Sequence, residues 1–243
     1  MHEREKYLLK KELDEVVTVL RQCNAMLAGG AVTSLFTDER VRDWDLYFRN
    51  VVDRDLAIKL FTEKGQLTFQ TDTAKTFKFG QRKKPFQIIC MPELMGQPSD
   101  IFDSFDFTVC MGLFDFAADE FVLHDDFLKH LAQRKLVVHV GTRFPICSLL
   151  RVLKYQRKGF KINGVDMMKL ALAVHRVELN TFKDLRRQMM GIDTAFLMAL
   201  TDRFKEGEAA EKPYRFDEFM EMVDEYMRKA WEPGDDGQEE EGS

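Results

Sequence analysis

Two short segments constrain this chain more than any other part of it: Leu27-Ala28-Gly29-Gly30-Ala31-Val32 and, shortly after, Asp43-Trp44-Asp45-Leu46-Tyr47-Phe48. The first reads as the end of an apolar strand, a double glycine and the start of a helix. The second reads as a strand carrying two carboxylates. Side chains alternate along a strand, so Asp43 and Asp45 point one way and Trp44 the other. Carboxylates about 7 Å apart on one strand edge can share a hard cation, and Mg²⁺ takes oxygen ligands while keeping several waters. The glycines admit backbone N–H groups close to a ligand, and the N-terminus of the next helix favours phosphate. A phosphate seat beside a metal seat meets the needs of nucleotidyl transfer.

This pattern resembles the DNA polymerase β-like nucleotidyltransferase superfamily, and within it the head domain of bacterial CCA-adding enzymes and poly(A) polymerases. Gly29-Gly30-Ala31-Val32 with Asp43-Trp44-Asp45 is similar to the first family motif. Asp106-Phe107-Thr108 resembles the second, which in the family helps hold the ribose, and residues 145–160 resemble the helix that closes the nucleotide pocket. The departures are specific. Thr33-Ser34 stands where the family has Arg-Asp, and Ser104 and Phe105 stand where it has two arginines. The base-templating Glu-Asp-x-x-Arg falls on Arg143, Phe144 and Cys147. The resemblance therefore implies transfer chemistry but not CCA synthesis.

On this basis the expected fold is α/β (α+β): a nucleotidyltransferase-type mixed sheet flanked by helices, followed by a helical C-terminal part. Residues 1–140 read as the catalytic head, 141–231 as a helical domain and 232–243 as a disordered acidic tail. The tail carries Glu232, Asp235, Asp236, Glu239, Glu240 and Glu241 and no base, so against the chain's formal charge of −5 the rest of the chain is slightly basic. The tail has no apolar anchor to order it. Cys23, Cys90, Cys110 and Cys147 show no CxxC pairing and sit in apolar settings, which fits buried thiols in a reducing compartment. The charged start of the chain has no apolar signal core, and no run of about 18 apolar residues exists to span a membrane. A cytoplasmic protein is expected.

Helical periodicity predicts one amphipathic helix over residues 3–26. A strand is expected over 107–113 and a helix over 123–136. A turn is expected at 80–84, and helices over 149–155, 165–179, 181–204 and 215–231. Met167, Met168, Met189, Met190 and Met198 are expected in the core. On the strand containing Gln87, three-carboxylate relatives would place another acid.

The resemblance implies two Mg²⁺ ions in the active complex, held by Asp43 and Asp45 as catalytic and metal-binding residues, with NMP transferred from an NTP to a hydroxyl. Gly29 and Gly30 would seat the phosphates, with Thr33 and Ser34 donating hydroxyl hydrogen bonds. Asp106 would contact the ribose, support the carboxylates, or cap a turn. Arg151, Lys154 and Lys158 form a basic stripe able to meet a triphosphate or polynucleotide, or a solvated helix face; Tyr155 nearby could stack on a base. The first acceptor is an RNA 3′ end. The alternatives are nucleotidylation of a protein or small molecule, and a non-catalytic scaffold that binds a nucleotide or a protein partner.

Overall fold

A computed structural model describes residues 1–79, 84–139 and 141–189, with the single positions 217, 220, 221 and 224. The expected turn at 80–84, the end of the helix over 181–204, the final helix over 215–231, Met190, Met198 and the acidic tail lie wholly or largely outside the described residues. The chain divides into two compact units, Met1–Arg143 with Val152–Ala171, and Phe144–Arg151 with Leu172–Ser243.

The chain opens with α1 (Glu3–Glu12) and α2 (Val17–Gln22) rather than one helix. The break follows from Asp14, whose carboxylate accepts the N–H of Glu15 at 2.8 Å and so competes with continuation of the helix. The apolar stripe survives the break: Leu9, Leu13, Val16, Val19 and Leu20 are all buried in the core. Next come β1 (Met26–Ala28), α3 (Gly30–Phe36), β2 (Trp44–Tyr47), α4 (Val51–Lys64), β3 (Gln66–Gln70), β4 (Ala74–Lys78) and β5 (Phe86–Ile89). Then follow α5 (Pro98–Phe102), β6 (Gly112–Asp115), β7 (Glu120–Leu123), α6 (Phe127–Ala132) and β8 (Lys135–Leu136). The last described elements are α7 (Pro145–Arg157), β9 (Lys161–Ile162), α8 (Gly164–His175) and α9 (Phe182–Gln188).

Seven strands form one mixed sheet in the order β3-β4-β5-β2-β1-β6-β7. β2 and β5 run parallel, and the other neighbours are antiparallel. This is the expected class, a mixed sheet with helices packed on it. Trp44 and Leu46 point from β2 into the core, where Trp44 stacks on Phe86 with ring centroids 6.5 Å apart. Phe61 of α4 meets Phe77, Phe79 and Phe86 edge-on, at 5.6, 4.8 and 5.7 Å. Burying each such ring contributes about 1.5–3 kcal/mol, and this side of the sheet fixes which face of β2 remains for function.

Three expectations are corrected here. The strand expected over 107–113 starts only at Gly112, because Phe107 makes an isolated bridge to Val138 and Thr108–Cys110 coils into a 3-10 turn. The helix expected over 123–136 covers only Phe127–Ala132. Only its first residue, Leu123, belongs to β7, which pairs with β6 and places Phe121 edge-on against Phe36 and Phe114. Met167 and Met168 are 41% and 60% exposed, since α8 buries Asp166 and Leu170 instead; Met189 is buried as expected.

Candidate functional site

The turn between β1 and α3 rests on Gly29, whose φ of +81° is open to few other residues. Its N–H donates to the Gly112 carbonyl at 3.2 Å, and its own carbonyl accepts the N–H groups of Val32 and Thr33. A Cβ added at Gly30 would meet nothing within 4 Å, so that side of the cradle is open. A Cβ at Gly29 would lie 3.9 Å from the tip of the Phe105 ring. Phe105 is buried, tilts against Phe102 and meets Tyr47 edge-on at 5.9 Å. An aromatic ring thus covers one glycine, at a position where the resemblance would have a cation.

Thr33 and Ser34 are buried, at 1% and 4% exposed. The Thr33 hydroxyl donates to the Val109 carbonyl at 2.6 Å, tying α3 to the turn before β6. The expectation that these two hydroxyls face a triphosphate therefore meets a different arrangement, with Thr33 committed to the interior.

Asp43 and Asp45 flank Trp44, which is 2% exposed, and both are half-buried. With Trp44 in the core, strand alternation turns both carboxylates to the other face of the sheet. Asp45 stands in register with Gln87 on β5, and Gln87 with Thr76 on β4. An amide occupies the place of a third acid. Among the described residues no group of three His, Cys, Asp or Glu side chains is placed to hold a metal. Carboxylate and amide oxygens are hard donors, the kind of ligand that Mg²⁺ takes.

Asp106 is 4% exposed, and its carbonyl accepts the His139 N–H at 2.8 Å. The turn after it is fastened from three directions. Thr108 shares a 2.7 Å hydrogen bond with His130 Nδ1, the Val109 carbonyl takes Thr33, and Cys110 Sγ lies 2.9 Å from the Tyr155 hydroxyl. Burial lowers the His130 pKa; Asp126 opposes this, while Lys129 and Lys135 add to it. Tyr155 is 3% exposed and packs between Phe107 and Phe160, so it is a core residue and not a stacking platform.

Of the basic stripe, Arg151 is half-buried and Lys154 exposed on α7, and Lys158 lies just past its end. Lys158 is held by Glu39 at 2.5 Å, together with Arg134 at 2.9 Å. Burial alone would raise the Glu39 carboxyl, but the hydrogen bonds from Lys158 and Arg134 outweigh it and hold the pKa below its ordinary value.

Residues 3–134 match the sequence model of the Gabija anti-defense 2 family. The chain belongs to that family. A relative named "Gabija anti-defense 2", from Bacillus phage SPbetaL7, is 38% identical over 182 residues, which cover 74% of this chain and 44% of that protein. The chain thus spans less than half the length of this curated relative. The family match contains Gly29, Gly30, Asp43, Asp45, Gln87, Phe105 and Asp106, and leaves out Arg151, Lys154 and Lys158.

Solved structures carry the fold likeness. An apo tRNA-processing enzyme superposes with a TM-score of 0.56 at 17% identity, covering 80% of this chain and 57% of that one. A CCA-adding enzyme in an apo form gives 0.55 at 15%, over 80% and 51%. The Thermotoga maritima CCA-adding enzyme complexed with tRNA gives 0.51 at 13%, over 79% and 51%. At these identities the likeness is one of fold. This Gabija anti-defense 2 family member has a mixed-sheet head similar in fold to those of CCA-adding enzymes, and no described helix is long and apolar enough to cross a membrane. What sequence reasoning missed is the packing of Phe105 on Gly29 and the inward turn of Thr33. The signal was present in the replacement of arginines by Phe105 and Thr33.

Proposed function

We propose that this chain opposes Gabija defence by binding: its nucleotidyltransferase-type head recognises a protein component of the defence, and its cradle holds a nucleotide or a partner segment without transferring it. The observation that carries this reading is Phe105 lying against Gly29 and Tyr47. A triphosphate seat needs donors and positive charge where charge builds up in transfer. Here one side of the seat is apolar, and the Thr33 hydroxyl is bonded to Val109.

The test is D43A/D45A in a phage-protection assay against bacteria carrying Gabija, with co-purification of the defence proteins as the second readout. Binding alone predicts undiminished protection and co-purification. Loss of protection with co-purification intact would overturn the reading.

A second reading is favoured by Asp43 and Asp45, which both remain half-exposed beside the open Gly30. In it the chain transfers NMP from an NTP to a hydroxyl, with a protein partner a better acceptor than an RNA 3′ end for an anti-defence family. Asp43 and Asp45 would hold the Mg²⁺, which when bound polarises the phosphate and activates the attacking hydroxyl. Asp106 and Gly30 would position the nucleotide, and Arg151, Lys154 and Lys158 remain candidates for phosphate contact. Labelled pyrophosphate released only when NTP, Mg²⁺ and the partner are all present would select this reading.

A further inference from the structure

Residues 127–165 contain nine Lys or Arg residues and no Asp or Glu, in a chain whose formal charge is −5. The acids are therefore segregated away from this stretch. Part of its charge is neutralised from outside: Asp126 takes Lys129, and Glu39 takes Arg134 and Lys158. Lys135 and Lys161 have no ion pair among the described residues.

These two lysines are also held side by side. β8 and β9 run parallel with Lys135 in register with Lys161 and Leu136 with Ile162. Neighbouring strands lie about 4.8 Å apart, so both ammonium groups leave the same face, opposite the fully buried Leu136. Like charges directly across a ladder repel, and the fold fastens this pair instead of separating it. The Lys161 N–H donates to the Arg134 carbonyl at 2.7 Å. Arg134 is locked at a φ of +49° by Glu39, by the Lys158 carbonyl at 3.1 Å and by the Phe160 ring 5.1 Å away. Helix α6 packs on β8.

We propose that the β8–β9 face, through Lys135 and Lys161, is a contact surface for the phosphodiester backbone of a nucleic acid. Lysine acts on phosphate as a point charge and needs no shaped pocket. A stretch that contributes nine bases and no acid of its own suits a ligand of uniform negative charge, whereas a protein surface of mixed charge gains little from that segregation. Such contacts position a nucleic acid without reading its sequence.

The experiment measures fluorescence anisotropy of labelled duplex DNA and of single-stranded RNA of equal length with the full chain, over a range of salt. Binding to either probe should weaken as salt rises. K135A/K161A should weaken it on the order of tenfold at low salt and flatten the log–log salt slope by roughly 1.4–1.8, the share of two phosphate contacts. K135R/K161R should retain both values, as should K59A/K64A on the exposed face of α4. Which probe binds tells DNA from RNA. The proposal fails if K135A/K161A binds as wild type, or if neither probe binds. It also fails if poly-glutamate alone is bound through the two lysines, which would assign the face to an acidic protein.

Discussion

Asp45 on β2 stands in register with Gln87 on the parallel neighbour β5. In a three-acid site the second position would carry a carboxylate; here it carries a neutral amide. Gln87→Glu should therefore lower the stability of the metal-free protein by about 0.2–1 kcal/mol through like-charge repulsion across the ladder. It should also tighten Mn²⁺ or Mg²⁺ binding relative to wild type. Calorimetric titration showing identical metal binding in both proteins would mean that Gln87 does not face the Asp43–Asp45 seat.

The two glycines of the cradle differ in what they tolerate. Gly29 combines a positive φ with an extended ψ, so Gly29→Ala should destabilise by about 1–3 kcal/mol. Gly30 begins α3 with open space around it. Gly30→Ala should be neutral or stabilising by about 0.4–1 kcal/mol. Urea unfolding of the two variants separates these outcomes, and equal losses would contradict the geometry described for the turn.

If Phe105 is what keeps the Gly29 side of the seat apolar, a cation there should restore triphosphate binding. Phe105→Arg gives up a buried ring, and Phe-to-Ala changes in cores cost about 3–5 kcal/mol, so folding must be checked by circular dichroism. A charge-assisted hydrogen bond contributes about 1.5–3 kcal/mol, and ATP affinity should rise roughly tenfold or more. An unchanged affinity in a folded variant would place the nucleotide elsewhere.

The bond from the Thr33 hydroxyl to the Val109 carbonyl predicts a role in stability. Thr33→Val leaves the buried Val109 carbonyl without that donor and should cost about 1–3 kcal/mol. Thr33→Ser should recover most of the loss, with nucleotide binding the same in both. A drop in nucleotide affinity without a drop in melting temperature would return Thr33 to the site.

Acid should unfold the head in two stages. The folded state lowers the His130 pKa, chiefly by burial, so it favours neutral imidazole. That contribution is complete above the unfolded value of about 6.5 and is lost as pH falls below it. Glu39 and Asp115 also have lowered pKa values: burial opposes the shift, while Lys158 and Arg134, and Arg49 with two backbone N–H groups, outweigh it. Asp119 is lowered against its own desolvation by Lys10, Lys6 and Arg21. The stability from these acids is complete above roughly pH 4.5 and is lost on further acidification. Melting temperature against pH should show both stages, and His130→Gln should abolish the first while leaving the second.

Much of the head was readable because its signals are local. Gly29 announces a turn that needs positive φ, and Asp43-Trp44-Asp45 announces a strand with one buried and one polar face; both follow from neighbours in the chain. The break between α1 and α2 escaped because the competing hydrogen bond from Asp14 spans only one residue, while the apolar periodicity runs straight through it. β7 escaped because Glu120-Phe121-Val122-Leu123 becomes a strand only by pairing with β6. Met167 and Met168 fit a helical core pattern equally well on either side of α8, and packing chose the side that buries Asp166 and Leu170.

The order of residues alone determined the double-glycine turn, the paired aspartates beside a buried tryptophan and the segregation of acids away from residues 127–165. These depend on chain geometry over a few residues and on composition. Only the tertiary structure decided that Phe105 lies on Gly29, that Thr33 turns inward to Val109, and that Lys135 and Lys161 share one face. Each joins positions dozens of residues apart, or strands whose register is set by burial elsewhere, and no local propensity encodes such a meeting.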